Sequence, residues 1–207
     1  MRTRAASLLA ALALATPVAA RAQLPLPHPS FGFIGALNLA TFGGSDVSNA
    51  TNKVGFSVGG FVRLPMSPMW SFQPELEYAG KGVKASGPGG SETYHLNYLE
   101  MPLLFRVAAP STPAGQLFGE IGPALAVKVD CTISASSGGL SVSTSCANGG
   151  ADIKSFDVGA MVGAGYEFPM GSHALSLGVR YNYGLTEIAT GFNVKNRNLQ
   201  FVAGLRL

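Results

Sequence analysis

Residues 156–168, FDVGAMVGAGYEF, put Phe156, Val158, Ala160, Val162, Ala164, Tyr166 and Phe168 on one parity. Asp157, Gly159, Met161, Gly163, Gly165 and Glu167 fall on the other. A period of two marks a strand whose two faces meet different surroundings. The same split runs through ALSLGVRYNYG, where Leu175, Leu177, Val179, Tyr181 and Tyr183 alternate with Ser176, Gly178, Arg180 and Asn182. Carried along the chain, the alternation predicts eight strands, near residues 31–42, 53–64, 69–80, 95–108, 115–129, 153–168, 173–185 and 195–207. Several exceed the roughly five or six residues of ordinary globular strands. They are long enough to cross a bilayer when tilted, which takes about 9 to 11 residues.

What stands opposite the aliphatic faces narrows the choice. Arg63, Glu75, Glu77, Glu100, Arg106, Glu120, Lys128, Asp157, Glu167, Arg180 and Arg206 all have that parity. No amphipathic helical pattern is available to cover the apolar faces. They could be buried in a two-sheet sandwich, or turned to lipid in a closed barrel with the charges in its lumen. Connection lengths favour the barrel. Residues 43–52, 81–94, 130–152 and 186–194 form long links, alternating with short ones at 65–68, 109–115 and 169–172. Long loops on one side and short turns on the other are the outer-membrane arrangement. Aromatic residues fit two interfacial belts. Phe33, Trp70, Phe72, Phe105, Tyr166 and Phe168 fall toward the short turns, and Phe42, Tyr78, Phe156, Tyr181 and Tyr183 toward the long loops.

The first 22 residues read differently. Arg2 and Arg4 precede an apolar run from Ala5 to Ala15, Pro17 breaks it, and Ala20-Arg21-Ala22 supplies a small-x-small cleavage site. This is the pattern of a secretory signal peptide. Removing Arg2, Arg4 and Arg21 takes the 14 basic residues to 11, against 11 acidic ones. The mature chain is then neutral, and nothing in its charge points to nucleic acid. Residues 23–30 are expected to form a short periplasmic segment and residues 31–207 the barrel domain. Cys131 and Cys146 are the only cysteines and flank the Ser/Gly-rich stretch TISASSGGLSVSTS. In an exported protein that even count predicts a disulfide.

The stretches YLEMPLLF, SFQPELEYAGKG, FGEIGPALA, FDVGAMVGAGYEF and VRYNYGLTEI resemble successive strands of the porin-family outer-membrane β-barrel domain, a small eight-stranded family. The resemblance covers about Gly32 to Leu207. It implies an all-β fold, an eight-stranded antiparallel up-and-down transmembrane β-barrel with short periplasmic turns and longer extracellular loops. It also implies a place in the lipid of the cell outer membrane, reached with the help of barrel-assembly and periplasmic chaperone machinery. Such barrels commonly end in an aromatic residue, whereas this chain ends FVAGLRL, at Leu207.

Eight strands enclose a space just wide enough for side chains to fill. The inward charges are therefore expected to pair across the lumen rather than line an open pore, and the protein to be a monomer. The function expected is structural, or binding and adhesion through the extracellular loops, above all 130–152. A narrow porin-like channel is the first alternative. A secreted, soluble lipocalin-like barrel is the second, and it requires an apolar interior. His28, His95 and His173 are the only histidines, and His95 alone lies near Ser91 and Glu92 on the long-loop side. That is too little to predict catalysis, and neither cofactor nor metal is expected. Pro74, Pro102 and Pro123 fall within three consecutive predicted strands. Proline cannot donate to a ladder, so bulges or kinks are expected there.

Overall fold

The computed structural model describes residues 28–48, 50–87 and 90–207. The expected signal peptide at 1–22 and most of the expected 23–30 segment lie outside the described residues. Nine strands follow in chain order: β1 (Ser30–Gly43), β2 (Ala50–Pro65), β3 (Trp70–Gly87), β4 (Gly90–Ala108), β5 (Gln116–Ser137), β6 (Leu140–Ser145), β7 (Phe156–Met170), β8 (His173–Gly184) and β9 (Lys195–Arg206). Eight close into an antiparallel barrel, each pairing with its neighbours in sequence, and β1 pairs with β9 to complete the ring. The ninth, β6, pairs only with β5 and stands outside it.

Parity decides which way each side chain points. Phe31, Phe33, Leu37, Val58, Leu76, Leu99, Ile121, Val162, Val179 and Phe201 are exposed on the outer wall, while Glu75, Glu77, Glu100, Arg106 and Arg180 are buried inside. This is a water-soluble protein turned inside out, and it fits a wall standing in hydrocarbon. A lipocalin-like barrel would have the opposite polarity, so the soluble reading is overturned. The aromatic pairs Phe72–Phe105 and Tyr166–Phe168 lie on the short-turn end, with ring centroids 5.2 Å and 4.7 Å apart. Phe42 corrects the expected outer belt: it turns inward and packs near Tyr94, with centroids 6.5 Å apart.

Three of the long connections, at 43–52, 81–94 and 130–152, are shorter than expected because the strands run on past the barrel, whereas the β8–β9 link spans 185–194. β3 and β4 stay paired to Gly87↔Gly90, so most of 81–94 is hairpin. The 130–152 loop is also largely strand. β5 continues to Ser137, turns through Gly138 and Gly139 at φ 58° and 83°, and returns as β6. Two consecutive positive φ angles make the mirror-image turn that matches strand twist, and glycine adopts them without strain. The Cys131–Cys146 disulfide staples the base of this finger, with Cα atoms 5.4 Å apart. Closing that loop contributes about 3 kcal/mol to the finger by restricting the unfolded chain.

The expected proline bulges do not occur where they were placed. The two register shifts lie elsewhere, in β2 between Asn52 and Ser57 and in β5 opposite the Asn97/Tyr98 step. At the prolines the register is kept and the ladder is interrupted instead. β2 and β3 pair at Phe61↔Glu75 and resume at Leu64↔Phe72. β3 and β4 pair at Pro74↔Leu103 and resume at Glu77↔Glu100. β4 and β5 pair at Pro102↔Ala124 and resume at Phe105↔Ile121. Pro74, Pro102 and Pro123 each occupy one such gap on the side facing the preceding strand, where the missing N–H would have donated. On its other side each proline is still paired, to Leu103, Ala124 and Ala160. A missing donor costs one bond and requires no extra residue, so a gap suffices where a bulge was expected.

Candidate functional site

The lumen is filled in tiers. At the short-turn end Glu167 on β7 accepts from Arg63 on β2 at 2.7 Å and from Arg106 on β4 at 2.8 Å. Arg206 on β9 stands 3.7 Å from its other oxygen. Arg106 also stacks on the Phe118 ring, 3.3 Å from its centroid, which adds a cation–π contact.

One tier up, Arg180 on β8 is surrounded by carboxylates. Its Nη1 and Nη2 donate to Glu75 at 2.7 and 2.8 Å, its Nε donates to Glu120 at 2.5 Å, and Glu77 lies 3.5 Å away. Gly163 on β7 makes room for this cluster, since a Cβ there would meet Arg180 Cγ at 2.8 Å and Glu120 Oε1 at 3.0 Å. Higher still, Glu100 accepts from Lys81 at 2.8 Å and from Asn182 at 2.6 Å. Asp157 then accepts from Asn196 at 2.8 Å and from Thr186 at 2.7 Å. Bidentate and charge-assisted bonds of this kind are what makes buried charge tolerable.

The tiers end at an apolar stopper. Ile188, in the link between β8 and β9, is fully buried with Leu96, Tyr98 and Ala126, and Phe42, Tyr94, Cys131, Ile153 and Val194 pack around them. Backbone bonds fix that link across the mouth, from Lys154 N–H to the Ile188 carbonyl at 2.8 Å and from Ile188 N–H to the Val194 carbonyl at 2.9 Å. The long-loop mouth is therefore closed by packed side chains.

Nine of the residues singled out by parity lie buried in these tiers: Arg63, Glu75, Glu77, Glu100, Arg106, Glu120, Asp157, Glu167 and Arg180. Arg206 and Lys128 sit nearer the ends; Arg206 is one-third exposed, and Lys128 donates to the Ile153 carbonyl. Lys81 was missed, because the predicted strand stopped at residue 80. It shares the parity of Glu75, Glu77 and Ala79, so running the alternation one step further would have found it. The amides Asn38, Gln73, Asn182, Asn196, Asn198 and Gln200 are equally buried. Parity had placed Asn182 on this face; the other five were overlooked because only charges were counted.

His95 does not stand beside Ser91. It pairs with Gly82 and Thr132 across the sheet, and Ser91 is four residues further along the same extended strand. That places their Cα atoms roughly 13 Å apart, beyond any direct proton transfer. No cluster of metal-ligating side chains occurs among the described residues.

Comparison with known proteins agrees with the fold. A family model described as "Outer membrane protein beta-barrel domain" matches residues 28–190. Among solved structures, Neisserial surface protein A (NspA) is similar at 16% identity, covering 87% of this chain and 99% of its own, with a TM-score of 0.50. The outer membrane protein OprG from Pseudomonas aeruginosa is similar at 12% identity, covering 86% of this chain and 94% of its own, also with a TM-score of 0.50. No curated protein sequence matches the chain.

Proposed function

The chain belongs to the outer membrane protein beta-barrel domain family, it resides in the cell outer membrane, and from that premise we propose that it is a closed, monomeric barrel presenting a binding surface to the outside. Residues 1–22 serve as the signal peptide, and insertion relies on periplasmic chaperones and the barrel-assembly machinery. The binding surface is the finger formed by the 130–152 segment.

The observation that carries this reading is the exposed apolar strip on that finger. Leu140 and Val142 are 78% and 69% exposed and share one face of β6. On the other face Ser141 and Ser143 hydrogen-bond across to Ser136 and Ser134 at 2.8 and 2.9 Å. Leu140 and Val142 border an open groove of about 680 Å³ that reaches Ser86 and Glu92 on the β3–β4 hairpin. Projecting above the membrane, these side chains gain nothing from lipid, and exposed apolar surface of this kind marks an interaction site. The disulfide and the tight turn hold the strip rigid, which lowers the entropy cost of binding.

The test is adhesion of outer-membrane vesicles bearing the protein to protein-coated surfaces. The double substitution Leu140→Ser with Val142→Ser, both outside the barrel, is expected to abolish adhesion while heat-modifiable gel mobility stays unchanged. Undiminished adhesion of the variant would contradict the reading.

A further inference from the structure

The short-turn mouth, which opens to the periplasm, carries more positive charge than its carboxylate can balance. A cavity of about 250 Å³ lies there between the turn at 65–68 and the ends of β4, β7 and β9. Arg63, Arg106 and Arg206 all line it, and Glu167 is the one acidic side chain that does. Arg106 leans partly on Glu120, at 3.8 Å. Even so, Arg63 and Arg206 share a single carboxylate. The turns at 65–68, 109–115 and 169–172 contain no Asp or Glu, so they add no negative charge to this mouth. No described ion pair joins Arg206 to the terminal carboxylate of Leu207.

Arg206 is the loosest of the three. Its contact with Glu167, at 3.7 Å, exceeds hydrogen-bonding range. Its Nε is buried and has no partner, an omission that is costly for a charged donor. Arg63 and Arg106 are held in place, the first by Gln73 Oε1 at 2.8 Å and the second by the Phe118 ring. Ser67 and Ser71 add hydroxyls at the rim. Guanidiniums and neutral donors around a small open cavity form a receptor for a planar or tetrahedral oxyanion.

We propose that the periplasmic mouth of the barrel binds a small oxyanion, a phosphate or carboxylate group, with Arg206 as its principal ligand and Arg63 as a second cation. The site is independent of the extracellular finger. An anion there neutralises the excess charge, so binding reinforces the one end of the lumen that lacks an apolar stopper.

The experiment is calorimetric titration of inorganic phosphate into the folded mature chain in phosphatidylcholine nanodiscs. Saturable one-site binding is expected, weakened about tenfold or more by Arg206→Gln, the loss of one charge-assisted contact. It should be unchanged by Lys84→Gln, which removes an equal charge at the far end. Arg206 lies at the rim, and heat-modifiable mobility verifies that the variant folds. Repeating the titration in phosphatidylglycerol nanodiscs separates two sources of the anion. A reduced apparent affinity there identifies a lipid headgroup as competing occupant, an unchanged one a soluble oxyanion, and both support the site. Absence of saturable binding, or equal weakening by Arg206→Gln and Lys84→Gln, would overturn it.

Discussion

The barrel wall is built in two ways. From β5 through β7, β8 and β9 to β1 and β2, every ladder runs in register without a gap. From β2 through β3 and β4 to β5, every ladder is interrupted at the level of Pro74, Pro102 and Pro123. In hydrocarbon no water can take up the freed backbone groups, so the second wall ought to be the weaker one. The lumen contacts run between the two. Arg63 on β2 and Arg106 on β4 reach Glu167 on β7, Glu75 and Glu77 on β3 reach Arg180 on β8, and Glu100 on β4 reaches Asn182 on β8. Side chains cross-link the interrupted wall to the regular one where backbone bonds are missing. We propose that the charges inside this barrel act as structural ties.

The largest effect expected from breaking those ties belongs to Arg180→Met. It strands Glu75, Glu77 and Glu120 without their shared cation, and should cost about 3 to 5 kcal/mol, the penalty for uncompensated buried charge. Urea unfolding in detergent micelles measures this; a loss under 1 kcal/mol would mean that the tier adds nothing to the wall. Glu167→Gln should cost less, about 2 kcal/mol, because the periplasmic mouth admits water to Arg63 and Arg206. A cost equal to that of Arg180→Met would show that the depth of the tier is immaterial. The smallest effect comes from mending the wall. Pro74→Val or Pro123→Val restores one backbone donor, for about 1 kcal/mol each. Amide exchange in the adjoining ladder should slow toward that of β8 and β9, and no slowing would mean that the gaps are not made by the prolines.

Much of this was legible in the sequence, and the boundary of what was not is physical. Alternation separates lipid from lumen because a one-residue slip would invert both faces, so Glu100 and Arg106 could be placed from parity alone. Parity says nothing about partners. That Arg180 gathers Glu75 and Glu77 from β3 and Glu120 from β5 depends on barrel closure and stagger. Polarity misled where strands leave the membrane, since a strand there no longer needs an apolar face. Lys81 and the Ser-rich β6 were therefore read as loop, although Gly138-Gly139 between alternating residues is a hairpin signal. Ile188 was invisible for a related reason. It belongs to a link without periodicity, and only the folded mouth shows what it fills.

We propose that ionic tiers below and Ile188 above seal this lumen. Planar-bilayer conductance of the purified mature protein tests it most directly. The account predicts a bilayer with inserted protein and no resolved current steps at any holding potential. Reproducible single-channel steps that change size in Glu120→Gln would contradict it, because they would place an ion path through the charges assigned here to holding the wall together.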